Sequence, residues 1–232
     1  MKKQQRFGQH FLKSEKIAQK IVDVANLKKH DSVLEIGTGK GILLPFLCQN
    51  AKKVTSFETD KKLYQDTKNQ YDYSNLKLKL GDGFKSKETF TVFVSNLPYS
   101  KSRDAVEWLV QKKFSRAIIM VQKEFAEKLQ TKSKDRKAIS VLAQHAFDIV
   151  PVIKVNKNNF TPKPKVDSVV LKLKSKKVVS TELIKAVNKL FSYRRKTIQN
   201  ILKQFGINNN STKRLDELDG GEIIKIAKQI IK

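Results

Sequence analysis

Apolar residues recur along the first two thirds of the chain in short runs separated by stretches of helical spacing. Val33-Leu34-Glu35-Ile36, Val54-Thr55-Ser56-Phe57, Leu76 to Leu80, Phe90 to Ser95 and Ala117 to Val121 read as strands. Between them, Leu43, Leu44 and Leu47, then residues 61–70, 104–112 and a stretch from Lys123 read as helices. Ahead of the first strand, Ser14 is expected to cap a helix running to Ala25, with Ile17, Ile21, Val24 and Ala25 on its apolar face. Residues 139–146 read as helix and residues 147–155 as a strand interrupted at Pro151. Two prolines and three asparagines make residues 156–165 a loop. Val166 to Lys174 reads as a last strand, with Val169, Leu171 and Leu173 on the buried face and Ser168, Val170, Lys172 and Lys174 opposite. The alternation predicts an α/β fold, a mostly parallel sheet with an antiparallel edge. After the charged hinge Lys174-Ser175-Lys176-Lys177 the pattern is helical, so the expected division is a catalytic domain at 1–177 and a small all-helical domain at 178–232.

Composition narrows the partners. Lys and Arg outnumber Asp and Glu by 48 to 22, giving a net charge of +26 spread over the whole length. Such a surface repels itself unless it faces a polyanion, which favours nucleic acid. There is no basic amphipathic helix with a bulky aromatic face for a membrane surface, and no run long enough to span a bilayer. The start, Met1 to Arg6, is basic without an apolar stretch behind it. Cys48 is the single cysteine, which rules out an internal disulfide framework, and His10, His30 and His145 are scattered, so no metal is expected. A soluble, cytoplasmic monomer is the expectation.

The chemistry gathers where strands end. Gly37, Gly39 and Gly41 follow the first strand at alternate positions, and glycine lets backbone approach a ligand where a Cβ would collide. The spacing is neither the dinucleotide Gly-x-Gly-x-x-Gly nor a phosphate loop ending in Gly-Lys-Ser/Thr. With Glu35 just upstream, it resembles motif I of S-adenosylmethionine-dependent methyltransferases. Glu58 closes the second strand, where a carboxylate can accept from both ribose hydroxyls. Asp82, in Gly81-Asp82-Gly83, either shapes a turn or accepts from an adenine amine. Asn96-Leu97-Pro98-Tyr99 falls at the carboxyl end of the fourth strand, the edge where open α/β sheets bind ligands. An exocyclic adenine amine is a poor nucleophile because its lone pair is delocalised into the ring. Two acceptors aimed at its N–H groups, the Asn96 side-chain oxygen and the Leu97 or Pro98 carbonyl, favour a tetrahedral nitrogen. Tyr99 offers a flat face for an extruded base.

Five ordered motifs together resemble the dimethyladenosine transferase family, the KsgA-type small-subunit rRNA adenine N6-dimethyltransferases. They are Gly8-Gln9-His10-Phe11-Leu12, Glu35 to Gly41, Asn96 to Tyr99, Phe160 to Ser168, and Phe191-Ser192-Tyr193-Arg194-Arg195-Lys196-Thr197. The resemblance implies a Rossmann-like S-adenosylmethionine-dependent methyltransferase sheet acting on small-subunit rRNA or a pre-ribosomal small subunit. It implies that Gln9, His10 and Leu12 border the methionine end of the cofactor, that Glu35, Gly37 and Gly39 belong to its loop, and that Glu58 takes the ribose. Asp82 would take the adenine amine, Asn96 would lie close to both cofactor and target, and Tyr99 and Phe160 would sandwich the target adenine. Read without the family, Phe160 is a core residue at a strand end. Arg194, Arg195 and Lys196 suit phosphate contacts. Two departures stand out: Ser100 where family members carry asparagine, and a short helical tail. The alternatives are an erythromycin-resistance type large-subunit rRNA adenine methyltransferase, and a non-catalytic RNA-binding assembly or transcription factor.

Overall fold

The chain begins its described course, residues 9–132 and 134–231 of a computed structural model, with a two-residue strand β1 (Phe11–Leu12). Gly8 of the first motif lies outside the described residues. Helix α1 (Glu15–Ala25) is capped by Ser14, whose Oγ accepts from the Ile17 N–H at 3.3 Å. Such a cap stabilises a helix by roughly 1 kcal/mol. Asn26 ends the helix in the left-handed region at φ 48°. The buried stripe is Ala18, Ile21, Val22 and Ala25, with Ile17 and Val24 at its partly buried margins, so the face is rotated from the expected one.

Strand β2 (Ser32–Ile36), helix α2 (Leu44–Asn50), strand β3 (Lys53–Glu58), helix α3 (Lys61–Gln70) and strand β4 (Leu76–Leu80) follow. Next come β5 (Val92–Ser95), α4 (Ser102–Leu109), β6 (Arg116–Gln122), α5 (Lys123–Gln130), α6 (Ala138–Ala146) and β7 (Phe147–Val155). Strands β8 (Phe160–Thr161) and β9 (Ser168–Ser175) complete the set. Seven strands form one sheet in the order β4-β3-β2-β5-β6-β9-β7. Strands β2 to β6 pair in parallel, and β9 runs antiparallel to β6. Leu34, Phe93 and Ile118 have no exposed surface, as strands covered on both faces require. Burying each such side chain contributes roughly 1.5–3 kcal/mol. The order reverses between β2 and β5, and a sheet of this kind opens its ligand crevice at the carboxyl ends of those two strands.

Three features differ from the expectation. The antiparallel strand β9 lies inside the sheet, between β6 and β7, so Ser168 and Val170 are as buried as Leu171 and Leu173. Strand β7 is continuous through Pro151, which an edge strand tolerates because one side of its backbone needs no ladder partner. The proline loop, expected to be irregular, contributes β8, which pairs with β1 of the N-terminal segment as a small antiparallel sheet, with Leu12 opposite Phe160.

Helices α7 (Thr181–Ser192), α8 (Ile198–Lys203) and α9 (Gly220–Ile230) make up the tail. The chain divides into two compact units, and the division is not the expected one at 177/178. The first holds the residues up to Ala105 with Lys113–Ala126 and Ile149–Ser175; the second holds Val106–Lys112, Glu127–Asp148 and Lys176 onward. Helix α6 is the reason. It is buried on nearly every side, at Ala138 to Ala143 and Ala146, and it packs on α7 and α9. A helix that is apolar all round needs cover from several neighbours.

Candidate active site

The turn after β2 is fixed by glycine. Gly37 sits at φ 83°, and its N–H donates to the Phe57 carbonyl at 2.8 Å, tying the loop to β3. Gly39, at φ 58°, passes under the Phe11 ring, which a Cβ would approach to 3.4 Å. Both conformations are strained for any residue bearing a Cβ.

Glu58 ends β3 almost wholly buried. Its Oε2 accepts from the Gly39 N–H at 2.8 Å, and its Oε1 accepts from the N–H groups of Thr59 at 2.8 Å and Asp60 at 2.9 Å. A carboxylate has about four acceptor directions. Three are therefore used by backbone, which narrows the expectation that Glu58 takes both ribose hydroxyls. The carboxylate also clamps the glycine loop.

Glu35 is on the same wall, fully enclosed in β2. Burial, opposed by the Ser56 hydroxyl and reinforced by the Glu58 charge, pushes its carboxyl up to about 8, so it carries a proton at neutral pH. Ser56 Oγ donates to Glu35 Oε2 at 2.5 Å and meets Thr38 Oγ1 at 2.5 Å, a buried polar chain beneath the glycine loop. Neither Ser56 nor Thr38 was foreseen as a site residue. Small polar residues inside a buried strand and its turn were the available signal.

These groups face a cleft of about 550 Å³ whose lining includes Gln9, His10, Leu12, Glu35, Gly37, Gly39, Glu58, Asp82, Asn96, Leu97 and Pro98. Phe11, Ser100 and Lys101 also line it, and none of the three was foreseen as a site residue. Phe11 lies over the glycine loop, with the Lys40 ammonium 5.4 Å from its ring centre. Asp82 is exposed at the rim and accepts from the Phe84 N–H at 3.0 Å, so it does the work of a turn while it faces the cleft.

At the exit of β5, Leu97 is buried, and its methyl lies 3.7 Å from where a Gly37 Cβ would be. The Pro98 carbonyl accepts from the Lys101 N–H at 2.8 Å. Among the described residues no donor reaches the Leu97 carbonyl or the Asn96 side chain. Of the two carbonyls considered, Leu97 therefore supplies the open acceptor.

The expected adenine sandwich is not assembled. Phe160 is 2% exposed and belongs to the core, the placement its residue type alone suggests. The ring stacked on Tyr99 is that of His10, with centroids 5.4 Å apart and planes 29° from parallel. The His10 Nδ1 hydrogen-bonds the Pro162 carbonyl at 2.7 Å, and the Tyr99 hydroxyl meets Ser168 Oγ at 2.7 Å. Arg194, Arg195 and Lys196 belong to the second unit, exposed in the turn after α7. There the ammonium groups of Lys189 and Lys196 each lie 5.2 Å from the Tyr193 ring centre. Among the described residues no cluster of His, Cys, Asp and Glu could hold a metal ion, and no helix is long and apolar enough to cross a membrane.

The cleft fits a nucleoside carrying a cationic sulfur centre better than a phosphorylated one. Its wall carries the carboxylates of Glu58 and Asp82, and negative charge repels phosphate.

Known proteins resemble this chain in sequence and fold. The chain is 34% identical over 231 residues to the ribosomal RNA small subunit methyltransferase A of Thermotoga neapolitana, covering 94% of this chain and 88% of the relative. The crystal structure of a dimethyladenosine transferase from Plasmodium falciparum superposes with a TM-score of 0.80 at 28% identity, covering 94% of this chain and 96% of that one. The 23S rRNA methyltransferase ErmE gives a TM-score of 0.72 at 22% identity, covering 96% of this chain and all of that one, a likeness of fold alone. The profile of the ribosomal RNA adenine dimethylase family matches residues 1–229, so the chain, with its Rossmann-like methyltransferase sheet, belongs to that family.

Proposed function

We propose that this protein transfers methyl groups from S-adenosylmethionine to the N6 amines of two adjacent adenosines near the 3′ end of small-subunit rRNA, during ribosome biogenesis in the cytoplasm. The observation that carries the reading is the pair of acceptors at the exit of β5. The Asn96 side chain and the Leu97 carbonyl have no protein donor among the described residues, and both residues line the cleft beside the glycine loop. Two acceptors on one amine hold its N–H groups and turn its lone pair outward. S-adenosylmethionine, when bound, supplies a methyl group on a cationic sulfur. Positioning then does most of the work, because displacement at carbon needs an in-line approach. The nitrogen becomes cationic as it gains the methyl, and its proton passes to water, so no general base is required of the chain.

Each wall has its part. Glu58 offers its remaining acceptor direction to a ribose hydroxyl, and Asp82 offers its carboxylate to the adenine amine of the cofactor. Gln9, His10 and Leu12 close the methionine end. Arg194, Arg195 and Lys196 supply phosphate contacts, which fix register without reading sequence. The shared fold does not separate small- from large-subunit substrates. The motifs at residues 8–12 and 194–197, and the small-subunit name of the 34% relative, favour the small subunit. Incubating the protein with methyl-labelled cofactor and purified subunits tests this. Label in small-subunit adenosines is expected. Label only in the large subunit would favour the alternative substrate, and no label would leave a binding protein.

A further inference from the structure

A late segment of the chain reaches the catalytic turn through a single hydroxyl. Strand β9 runs antiparallel to β6, with Ser168 opposite Gln122, so its first residue lies at the edge where the parallel strands end. Ser168 has no exposed surface, and its Oγ lies 2.7 Å from the hydroxyl of Tyr99, in the turn that follows β5. Its neighbour Asp167 joins the same corner. The Asp167 Oδ1 accepts from the Lys157 N–H at 2.9 Å, closing the neck of the proline loop, and its carbonyl accepts from the Lys123 N–H at 3.0 Å.

Tyr99 has a second partner besides this hydroxyl. It is partly exposed, and the ring it meets, that of His10, is itself a lining residue of the cleft. A phenol ring can swing about its Cα–Cβ bond, and a hydrogen bond at the far end of the ring fixes where the ring lies. We infer that Ser168 is a positioning residue: its hydroxyl anchors the Tyr99 hydroxyl and so sets the place of the ring against which the target adenine stacks. This rests on the adenine methyltransferase reading above. It gives the serine of the Phe160–Ser168 motif a role through Tyr99, with no contact to cofactor or RNA.

Ser168→Ala and Tyr99→Phe remove the same hydrogen bond from opposite ends while keeping an aromatic ring at position 99. Each is expected to slow single-turnover methylation of small subunits roughly 3–10-fold, the range of one net hydrogen bond. The double variant should be no slower than the slower single one. Cofactor affinity by calorimetry should be unchanged in all three. In a protein labelled at tyrosine, the slowly exchanging Tyr99 hydroxyl proton seen by NMR should vanish in Ser168→Ala. If either single variant methylates at the wild-type rate, or the two losses multiply in the double variant, Ser168 does not act through Tyr99. Should Ser168→Ala fail to fold, Tyr99→Phe decides alone, and a wild-type rate overturns the inference. An inactive wild type would overturn the methyltransferase reading itself, and the role of Ser168 with it.

Discussion

Glu35 shows how one buried side chain sets a pH response. Its folded-state carboxyl titrates near 8, against an ordinary 4.5, and desolvation is the main cause. Between those values the folded protein holds a proton that the unfolded chain has released, so stability falls as pH rises from about 4.5 to about 8. Glu35→Gln cannot ionise. Thermal unfolding at pH 5 and pH 8 should show the variant gaining on the wild type at the higher pH. The gain should reach a few kcal/mol, because holding that proton costs the fold roughly 1.4 kcal/mol for every step of one in pH across the window. A constant gap between the two proteins would mean that Glu35 is ionised in the folded state. Glu58 has a structural task as well, because backbone N–H groups donate to its carboxylate. Glu58→Ala should weaken S-adenosylmethionine in a calorimetric titration and also lower the melting temperature, since Gly39, Thr59 and Asp60 lose their acceptor. Charge-assisted hydrogen bonds of this kind are worth roughly 1.5–3 kcal/mol each. A binding loss without a stability loss would put the clamp on the glycine loop in doubt.

Among the elements, those that end in chemistry were legible in advance. The apolar runs of β2, β3 and β5 stop at Gly37, Glu58 and Asn96, because a parallel strand must be apolar until it leaves the sheet. The pairing of β1 with β8 was not legible. Two residues carry no periodicity, and the partners are far apart in sequence. The burial of Ser168 and Val170 in β9 was hidden too, since the sequence does not show that this strand is internal to the sheet. Phe160 follows from the same pairing: opposite Leu12, it is a packing residue of β8. Phe160→Ala should therefore lower stability by roughly 3–5 kcal/mol, as truncation of a buried phenylalanine does. Chemical denaturation measures this. A loss of methylation with unchanged stability would instead return Phe160 to a stacking role.

For the whole molecule, the net charge of +26 governs how it meets a polyanion. Binding to small-subunit rRNA should weaken steeply with salt as counterions are released, and replacing Arg194 and Arg195 by alanine should reduce the slope of log affinity against log salt by roughly 1–2. An unaltered slope would confine RNA contact to other surfaces. Charge pointed to nucleic acid from composition alone. The make-up of the helical unit was not legible, because α6 joins α7 and α9 through packing that no local pattern records. The proposed methyl transfer turns on Asn96 and the amine it would hold. The most direct measurement maps methyl groups on small-subunit rRNA by mass spectrometry after single-turnover incubation with wild type or Asn96→Ala, with cofactor affinity measured alongside. The wild type should place two methyl groups on each of two adjacent adenosines, and Asn96→Ala should react slower by something on the order of a hundredfold with little change in cofactor affinity. Methyl groups elsewhere, or an Asn96→Ala variant that reacts at the wild-type rate, would contradict it.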